Sequence, residues 1–336
     1  MSIQDEIKRK QPRPIETNDF GKKIKIKKEK DDGPNKIVGK FVYFAAIIVF
    51  IAAMYILFDY FRQGLKTSEL NSDLQSISNS LAEVTTAQTT EAKGNEPRPL
   101  LPLAQQLLTK NSDTVGWVKI NNTKVDLPVV LKKDGTDKER NLYYLEYNFL
   151  HEKNQSGAIF ADYRTTIEDQ KQSDNIVLYG HDEKSNEMFG DLDLYKQKWS
   201  KAGLDFYKQN PTFEFNTNYE QGTYKIFAYF VTTVEPYQEP DGVIFDYNNY
   251  IDFNEARYND FMENVMKRNK IITNVDCKFG DKFVTISTCS NEFEPSRFVI
   301  FGRKVREGED PNVNVDNVTY NKDAKTYDYD FIVGKK

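Results

Sequence analysis

An uninterrupted apolar run is the feature that most limits what this chain can fold into. It covers residues 41–58 (FVYFAAIIVFIAAMYILF), eighteen uncharged residues between Lys40 and Asp59. As a helix with a rise of about 1.5 Å per residue it would be roughly 27 Å long, enough to cross the core of a bilayer. Tyr60 and Phe61 follow, as is typical of the aromatic belt at a membrane surface. We predict one uncleaved transmembrane anchor, because forty residues precede the run and no small-x-small cleavage site follows it.

The charge distribution predicts the orientation of this anchor. Residues 1–40 contain twelve Lys and Arg against seven Asp and Glu, whereas the rest of the chain contains 34 against 44. A short basic arm stays in the cytoplasm by the positive-inside rule. We therefore expect a cytoplasmic arm over 1–40, the anchor over 41–58 and an extracellular remainder. The arm suits contact with anionic membrane lipid, and no nucleic-acid partner is expected.

Composition divides the outer part of the chain into three regions. Residues 59–99 are polar with a loose helical repeat of apolar residues, which predicts a helical stalk and spacer. Residues 100–305 contain strand-like runs and form the expected main folded domain. Residues 306–336 are rich in Asp, Asn, Lys and Tyr with little periodicity, which predicts a largely unstructured polar tail. With two cysteines in total, the domain must depend on its hydrophobic core and not on disulfides.

The alternating runs predict a mainly β fold. Seven or eight short strands with few helices between them indicate a closed or nearly closed antiparallel barrel, preceded by N-terminal helices. A helix is also expected before the last pair of strands. The predicted strands cover residues 116–120, 125–131, 157–160, 176–179, 212–216, 223–232, 283–288 and 298–305, and the predicted helices cover 103–108, 202–208 and 253–269.

Two neighbouring runs near the end of the predicted domain combine a thiol with a guanidinium. The run over 283–289 alternates like a strand and ends on Cys289, and the next run opens on Arg297. If the two strands pair antiparallel, opposed Cβ atoms lie about 4.5–5.5 Å apart. The spacing therefore predicts a nucleophile beside a permanent positive charge.

His181 is the stronger candidate for the acid and base that such a thiol needs. It follows a short apolar strand, so its side chain can face a cleft, whereas His151 lies in a polar loop. Cys277 likewise lies in a polar approach to a strand. We expect Cys289 to be the nucleophile, His181 the general acid and base, and Arg297 the group that binds the oxyanion or the substrate backbone. The sequence contains no metal-ligand or cofactor motif, and we expect neither.

At these residues the sequence resembles the sortases, the membrane-anchored transpeptidases of Gram-positive bacteria. That family has a strand ending in T-L-x-T-C, an arginine on the next strand and a histidine after an earlier strand. The corresponding residues here are 285–289 (TISTC), Arg297 and His181, with Ile286 in place of the commoner leucine. The resemblance covers about 105–305 and implies a sortase-like barrel.

Within that family the chain is most similar to class B. Residues 141–149 (NLYYLEYNF) and 157–164 (GAIFADYR) resemble that class, and so do the N-terminal helices. The resemblance implies that Asn141, Leu145 and Ser287 line the substrate groove. Ser287 also alternates onto the same face of its strand as the cysteine two residues later.

The implied function is the covalent attachment of secreted proteins that carry a C-terminal sorting signal. Cleavage would leave a thioester on Cys289, and an amine of the peptidoglycan peptide or of a pilus subunit would resolve it. The chemistry of the residues alone leaves two alternatives open. One is a membrane-anchored cysteine peptidase with water as the acceptor, and the other is a non-catalytic adhesin with a β-barrel ectodomain.

Overall fold

The computed structural model describes residues 34–85, 98–239, 242–327 and 332. Contacts divide the chain into two compact units, 1–58 and 59–336. Helix α1 is Pro34–Thr85. In the first unit its apolar side chains are largely exposed; Phe41, for example, is 75% exposed. Within the described ranges α1 is the one helix long and apolar enough to cross a membrane. Most of the predicted basic arm, residues 1–33, lies outside the described residues.

The second unit is built around β-strands with helices between them. Its described helices are α2 (Pro102–Leu108), α3 (Asp137–Glu146), α4 (Asp193–Lys196), α5 (Lys201–Gln209) and α6 (Glu255–Arg268). Its described strands are β1 (Thr114–Lys119), β2 (Asp126–Val130), β3 (Ile159–Ala161), β4 (Asn175–Tyr179), β5 (Thr212–Thr217), β6 (Thr223–Thr233), β7 (Ile271–Ile272), β8 (Phe283–Ser290), β9 (Ser296–Lys304) and β10 (Thr319–Tyr320).

Eight of these strands close into a barrel in the order β1-β2-β3-β4-β8-β9-β6-β5, while β10 pairs with β7. The predicted closed barrel is therefore confirmed. The expectation that all its strands are antiparallel is wrong, because β2 pairs with β3 and β4 pairs with β8 in parallel. Parallel neighbours need a long crossover connection. Helix α3 lies in the first crossover, and α4 to α6 lie in the second.

All eight predicted barrel strands and all three predicted helices overlap observed elements, but α3 was not expected. Its start has a full capping box. The side chain of Thr136 accepts from the backbone N–H of Glu139, and the Glu139 carboxylate accepts from the backbone N–H of Thr136. Two otherwise unpaired backbone donors are satisfied in this way, which stabilises the first turn. The pattern T-x-x-E was visible in the sequence.

The barrel buries apolar side chains on both faces of β8. Ile286 points into the interior cluster and is fully buried. Phe283 points outward into a second cluster, where it packs against Phe227 of β6 and Phe261 of α6. Burying one such side chain contributes roughly 1.5–3 kcal/mol. The two clusters therefore hold the strand that ends at Cys289 from both sides.

Residues 59–85 are helical, as expected, but they do not form a stalk separate from the catalytic domain. Thr67 is hydrogen-bonded to Asn154, and the Asn71 side chain donates to Glu187 Oε2 at 2.6 Å. Leu74 is 2% exposed and joins a cluster with residues of α2, α3 and the barrel. These contacts explain the loose repeat of apolar residues as a packing face. The predicted spacer falls largely on residues 86–97, outside the described residues.

The segment after β9 is also packed, which contradicts the expectation of an unstructured tail. Glu309 accepts from both terminal nitrogens of the buried Arg303 and forms an ion pair with Lys225 at 2.7 Å. The hydrogen bonds from Arg303 hold the pKa of the Glu309 carboxyl far below its usual range. Further along, Val318 is 1% exposed in the interior cluster. The polar composition predicted disorder, but ion pairs and a few buried apolar residues hold this segment against the barrel.

Candidate active site

The β8–β9 hairpin carries the predicted thiol and guanidinium. Cys289 lies directly opposite Arg297 in the antiparallel register, as the spacing predicted. Cys289 is exposed, whereas every other residue of β8 is buried. Arg297 is half-buried, and its Nη1 donates to the carbonyl oxygen of Ser296 at 2.9 Å. Within the described ranges no ion pair involves Arg297.

Strand β4 brings His181 to the same end of the barrel. It pairs with β8 in parallel, with Tyr179 beside Ser287. Continuing that register by two residues places His181 level with Cys289 on strands about 4.8 Å apart. The end of β4, the end of β8 and the start of β9 therefore lie side by side, and these three strand ends carry His181, Cys289 and Arg297.

Gly180 allows the close packing before His181. A Cβ atom at this position would lie 2.4 Å from Ile159 Cδ1 and 2.7 Å from Phe189 Cδ2. The Gly180 carbonyl oxygen accepts a hydrogen bond of 2.8 Å from Thr288 Oγ1. A side chain here would clash with two buried apolar side chains, so the position before His181 favours glycine.

A backbone contact orients the imidazole. His181 Nε2 lies 2.9 Å from the carbonyl oxygen of Leu145, at the end of α3. A carbonyl oxygen only accepts hydrogen bonds, so Nε2 carries the hydrogen and Nδ1 is the basic nitrogen of the neutral ring. The structure thus gives Leu145 a contact with His181 through its backbone. The substrate-binding role of its side chain stays a prediction.

Asn141 supports the loop that follows β3. Its Nδ2 donates to Asp162 Oδ2 at 3.0 Å, and its Oδ1 accepts from the backbone N–H of Tyr163 at 2.9 Å. Asp162 is fully buried; burial acts to raise its pKa, but the hydrogen bonds from Arg164 outweigh burial and lower it. Both ends of the Asn141 amide therefore have protein partners, and its role toward a substrate stays a prediction.

Ser287 shares the face of Cys289, as predicted, but it is 1% exposed. Its hydroxyl lies 2.7 Å from that of Tyr247, whose pKa burial raises to about 12. The positive charge of Arg297 acts in the opposite direction and lowers the pKa of Tyr247. The sequence did not point to Tyr247, because this residue lies between strands, 40 positions before Ser287 along the chain. A substrate-binding role for Ser287 stays a prediction.

A buried lysine holds the turn that follows Cys289. Lys196, at the end of α4, is 5% exposed. Its Nζ donates to Ser290 Oγ at 2.9 Å and to Glu292 Oε2 at 3.0 Å, and it lies 3.0 Å from Asp193 Oδ1. These contacts tie the β8–β9 turn to α4. Sequence reasoning missed Lys196, since a lysine in a polar run is ordinarily a surface residue.

Asp182, the residue after His181, contacts the same turn. Its Oδ2 accepts from Asn291 Nδ2 at 3.1 Å. Burial raises the pKa of Asp182 to about 6, and the nearby carboxylate of Asp193 adds to this effect. The loops behind the imidazole and behind the thiol are thus joined directly.

The second cysteine and the second histidine lie away from this arrangement. Cys277 precedes β8, at the opposite end of that strand from Cys289, and burial raises its pKa to about 12. The His151 ring contacts Asn111 and Tyr143. In the parts of the chain that the structure describes, no three His, Cys, Asp or Glu side chains converge as metal ligands.

Comparison with known proteins gives consistent matches. The sortase domain family matches residues 118–305. Sortase B of Listeria monocytogenes is 35% identical over 259 residues, which cover 74% of this chain and 92% of that protein. Sortase B of Staphylococcus aureus is 27% identical over 210 residues, covering 61% and 75%. A crystal structure of sortase B from Bacillus anthracis superposes with a TM-score of 0.56 at 24% identity, covering 73% of this chain and 99% of that one.

The matched family and the closed barrel define the class of protein first: this is a cysteine transpeptidase. The chain belongs to the sortase family, and within it the chain is of the class B type, as the resemblance at residues 141–164 implied.

Proposed function

We propose that Cys289, His181 and Arg297 cleave the C-terminal sorting signal of secreted proteins and transfer the acyl group to an amine of the cell wall or of a pilus subunit. The observation that supports this most is the register that sets Cys289 opposite Arg297 and level with His181. Both curated relatives named above are sortases B.

In the proposed reaction the Cys289 thiolate attacks the carbonyl carbon of the scissile peptide bond. The oxyanion that forms is stabilised by the Arg297 guanidinium, whose fork of donors suits a developing negative charge. His181 gives its proton to the leaving amine, and a thioester remains on Cys289. The acceptor amine then attacks the thioester, His181 takes the proton, and a new amide bond releases the thiol.

The proposed location is the outer face of the cell membrane, with α1 as a single-pass anchor over residues 41–58 and the N-terminal arm in the cytoplasm. The exposed apolar surface of α1 and the basic arm support it. A reporter that is active only in the cytoplasm, fused after Lys336, should be silent. A signal from that fusion would refute the orientation.

Thioester formation tests the reaction. The full-length chain in detergent is incubated with a library of labelled pentapeptides, and the intact mass is measured with and without a panel of amines that includes triglycine. We expect an adduct on the wild type that amines discharge into a coupled product, and no adduct on Cys289→Ala. Discharge at the same rate without amine would indicate a cysteine peptidase. The absence of any adduct would refute the proposal.

A further inference from the structure

The polar segment after β9 crosses back to the active-site end of the barrel. Strand β10 pairs with β7 through Thr319 beside Ile272 and Tyr320 beside Ile271, and the residues up to 327 continue from it. This segment lies beyond residues 118–305, which match the sortase domain. We call residues 318–327 the C-terminal strap.

The strap neutralises a buried carboxylate. Lys325 Nζ lies 2.5 Å from Glu239 Oε2, and the Glu239 side chain is fully buried. The other oxygen, Glu239 Oε1, has no hydrogen-bond partner within the described residues. The backbone N–H of Lys325 donates to the carbonyl oxygen of Lys267 at 2.9 Å, which fixes the strap beside α6. A buried charge without its partner is strongly destabilising, so Glu239 depends on the strap.

From Glu239 the contacts lead to the turn between Cys289 and Arg297. The neighbouring Gln238 is buried, and its Nε2 donates to the carbonyl oxygen of Glu294 at 2.8 Å. Glu294 belongs to residues 291–295, the turn that joins β8 to β9.

The strap reaches the same turn by a second route. The hydroxyl of Tyr327 lies 3.0 Å from Thr232 Oγ1, and Thr232 is paired with Arg297 across β6 and β9. The Tyr327 ring also packs on Phe293 of the turn, with ring centroids 5.1 Å apart. Both sets of contacts end on the turn between Cys289 and Arg297 or on the strand partner of Arg297.

We propose that the C-terminal strap positions the β8–β9 turn for catalysis, with Lys325 and Tyr327 as its positioning residues. Neither side chain is placed to touch the reacting atoms; each acts through Glu239 or through the turn. The kinetic consequence rests on the proposed function, because it concerns thioester formation on Cys289. The structural consequence, an ordered turn, does not.

The test compares Lys325→Met with Lys322→Met in the full-length chain. Lys322 is exposed on the same strap, so its replacement removes the same charge but leaves the ion pair between Lys325 and Glu239 intact. All rates are measured at a temperature at which circular dichroism shows every variant to be folded. We expect single-turnover acylation to fall about tenfold or more for Lys325→Met, since small displacements of reacting groups cost up to ~10²-fold. Lys322→Met should stay within about twofold, and Lys325→Arg should recover most of the rate.

Two further measurements separate this proposal from a purely structural role and from failure of the proposed function. Tyr327→Phe keeps the ring on Phe293 but removes the hydroxyl, and we expect a loss of several-fold in acylation.

Hydrogen exchange in residues 291–295 should accelerate in Lys325→Met and not in Lys322→Met, whether or not any peptide is a substrate. Unchanged exchange and unchanged acylation in both strap variants would refute the proposal. If only the melting temperature falls, the strap contributes to stability alone.

Discussion

Replacing Lys196 by methionine should lower the free energy of unfolding by about 3 kcal/mol, near the lower end of the cost of removing one partner from a buried ion pair. The Lys196 side chain is 6% exposed and that of Glu292 is 18% exposed, so Glu292 would keep limited access to water. The ion pair with Asp193, which is 45% exposed, adds about 0–1 kcal/mol. Methionine preserves most of the length of the lysine stem, so little of the loss comes from packing.

The double variant Lys196→Met/Glu292→Gln isolates the charge effect. Removing both charges avoids an unpaired buried carboxylate, and replacing both members of a buried pair is often close to neutral. We therefore expect the double variant to be more stable than the single variant Lys196→Met, by about 2 kcal/mol. Exposed Lys198 provides the control, since Lys198→Met removes the same charge two positions further along the chain.

Thermal unfolding of the full-length chain in detergent, followed by circular dichroism, measures these differences. A loss of 3 kcal/mol corresponds to a fall in melting temperature of about 6–12 °C for a domain of this size. The reasoning is refuted if Lys196→Met matches Lys198→Met, or if adding Glu292→Gln makes the protein less stable still. Either result would mean that the lysine does not balance a buried charge beside the thiol.

Five further variants test individual residues. Cys277→Ala should keep most of the activity and Cys289→Ala should lose all detectable turnover in the thioester assay; equal losses would indicate a structural role for both. Arg297→Lys and Arg297→Ala should each acylate ~10²–10³ times more slowly while circular dichroism stays unchanged, and a near-normal rate for the alanine variant would refute the oxyanion role. Asp182→Asn should stabilise the protein at pH 7 by about 1 kcal/mol, because the raised pKa of about 6 means that the folded state disfavours the charged carboxylate, while solvent screens this half-buried group. That gain should shrink as the pH falls from 6 to 4, where the wild-type carboxyl is protonated in the folded state, and a gain independent of pH in unfolding scans would contradict the assignment.

Features set by local sequence could be predicted. The alternation that ends at Cys289 and the short distance to Arg297 define one hairpin, and a hairpin is a local structure whose register follows from its own residues. Helix α6 was recognised from its apolar repeat, and its start is capped by the side chain of Asn254. The position of His181 at a strand end followed from the apolar strand before it.

Features set by contacts between distant segments could not be predicted. The parallel pairing of β4 with β8 joins strands that lie far apart along the chain, and no local pattern specifies it. Tyr247 reaches Ser287 from a loop, and Lys196 is buried only because the β8–β9 turn folds over it. The strap was not predicted because its contacts are also with distant segments. From the sequence alone Lys325 is expected to be exposed to solvent, and only the structure shows its buried partner Glu239.

The pairing of β4 with β8 also decides when the protein can become reactive. Gly180 and Thr288, which are hydrogen-bonded in the finished barrel, are separated by 108 residues along the chain. Closing so large a loop is entropically costly, and such non-local pairings form late in folding. A chain synthesised from its N-terminus therefore contains His181 long before Cys289. The two residues come together only when the last barrel strands are in place. We infer that the arrangement around Cys289 assembles only once the chain is complete through β9.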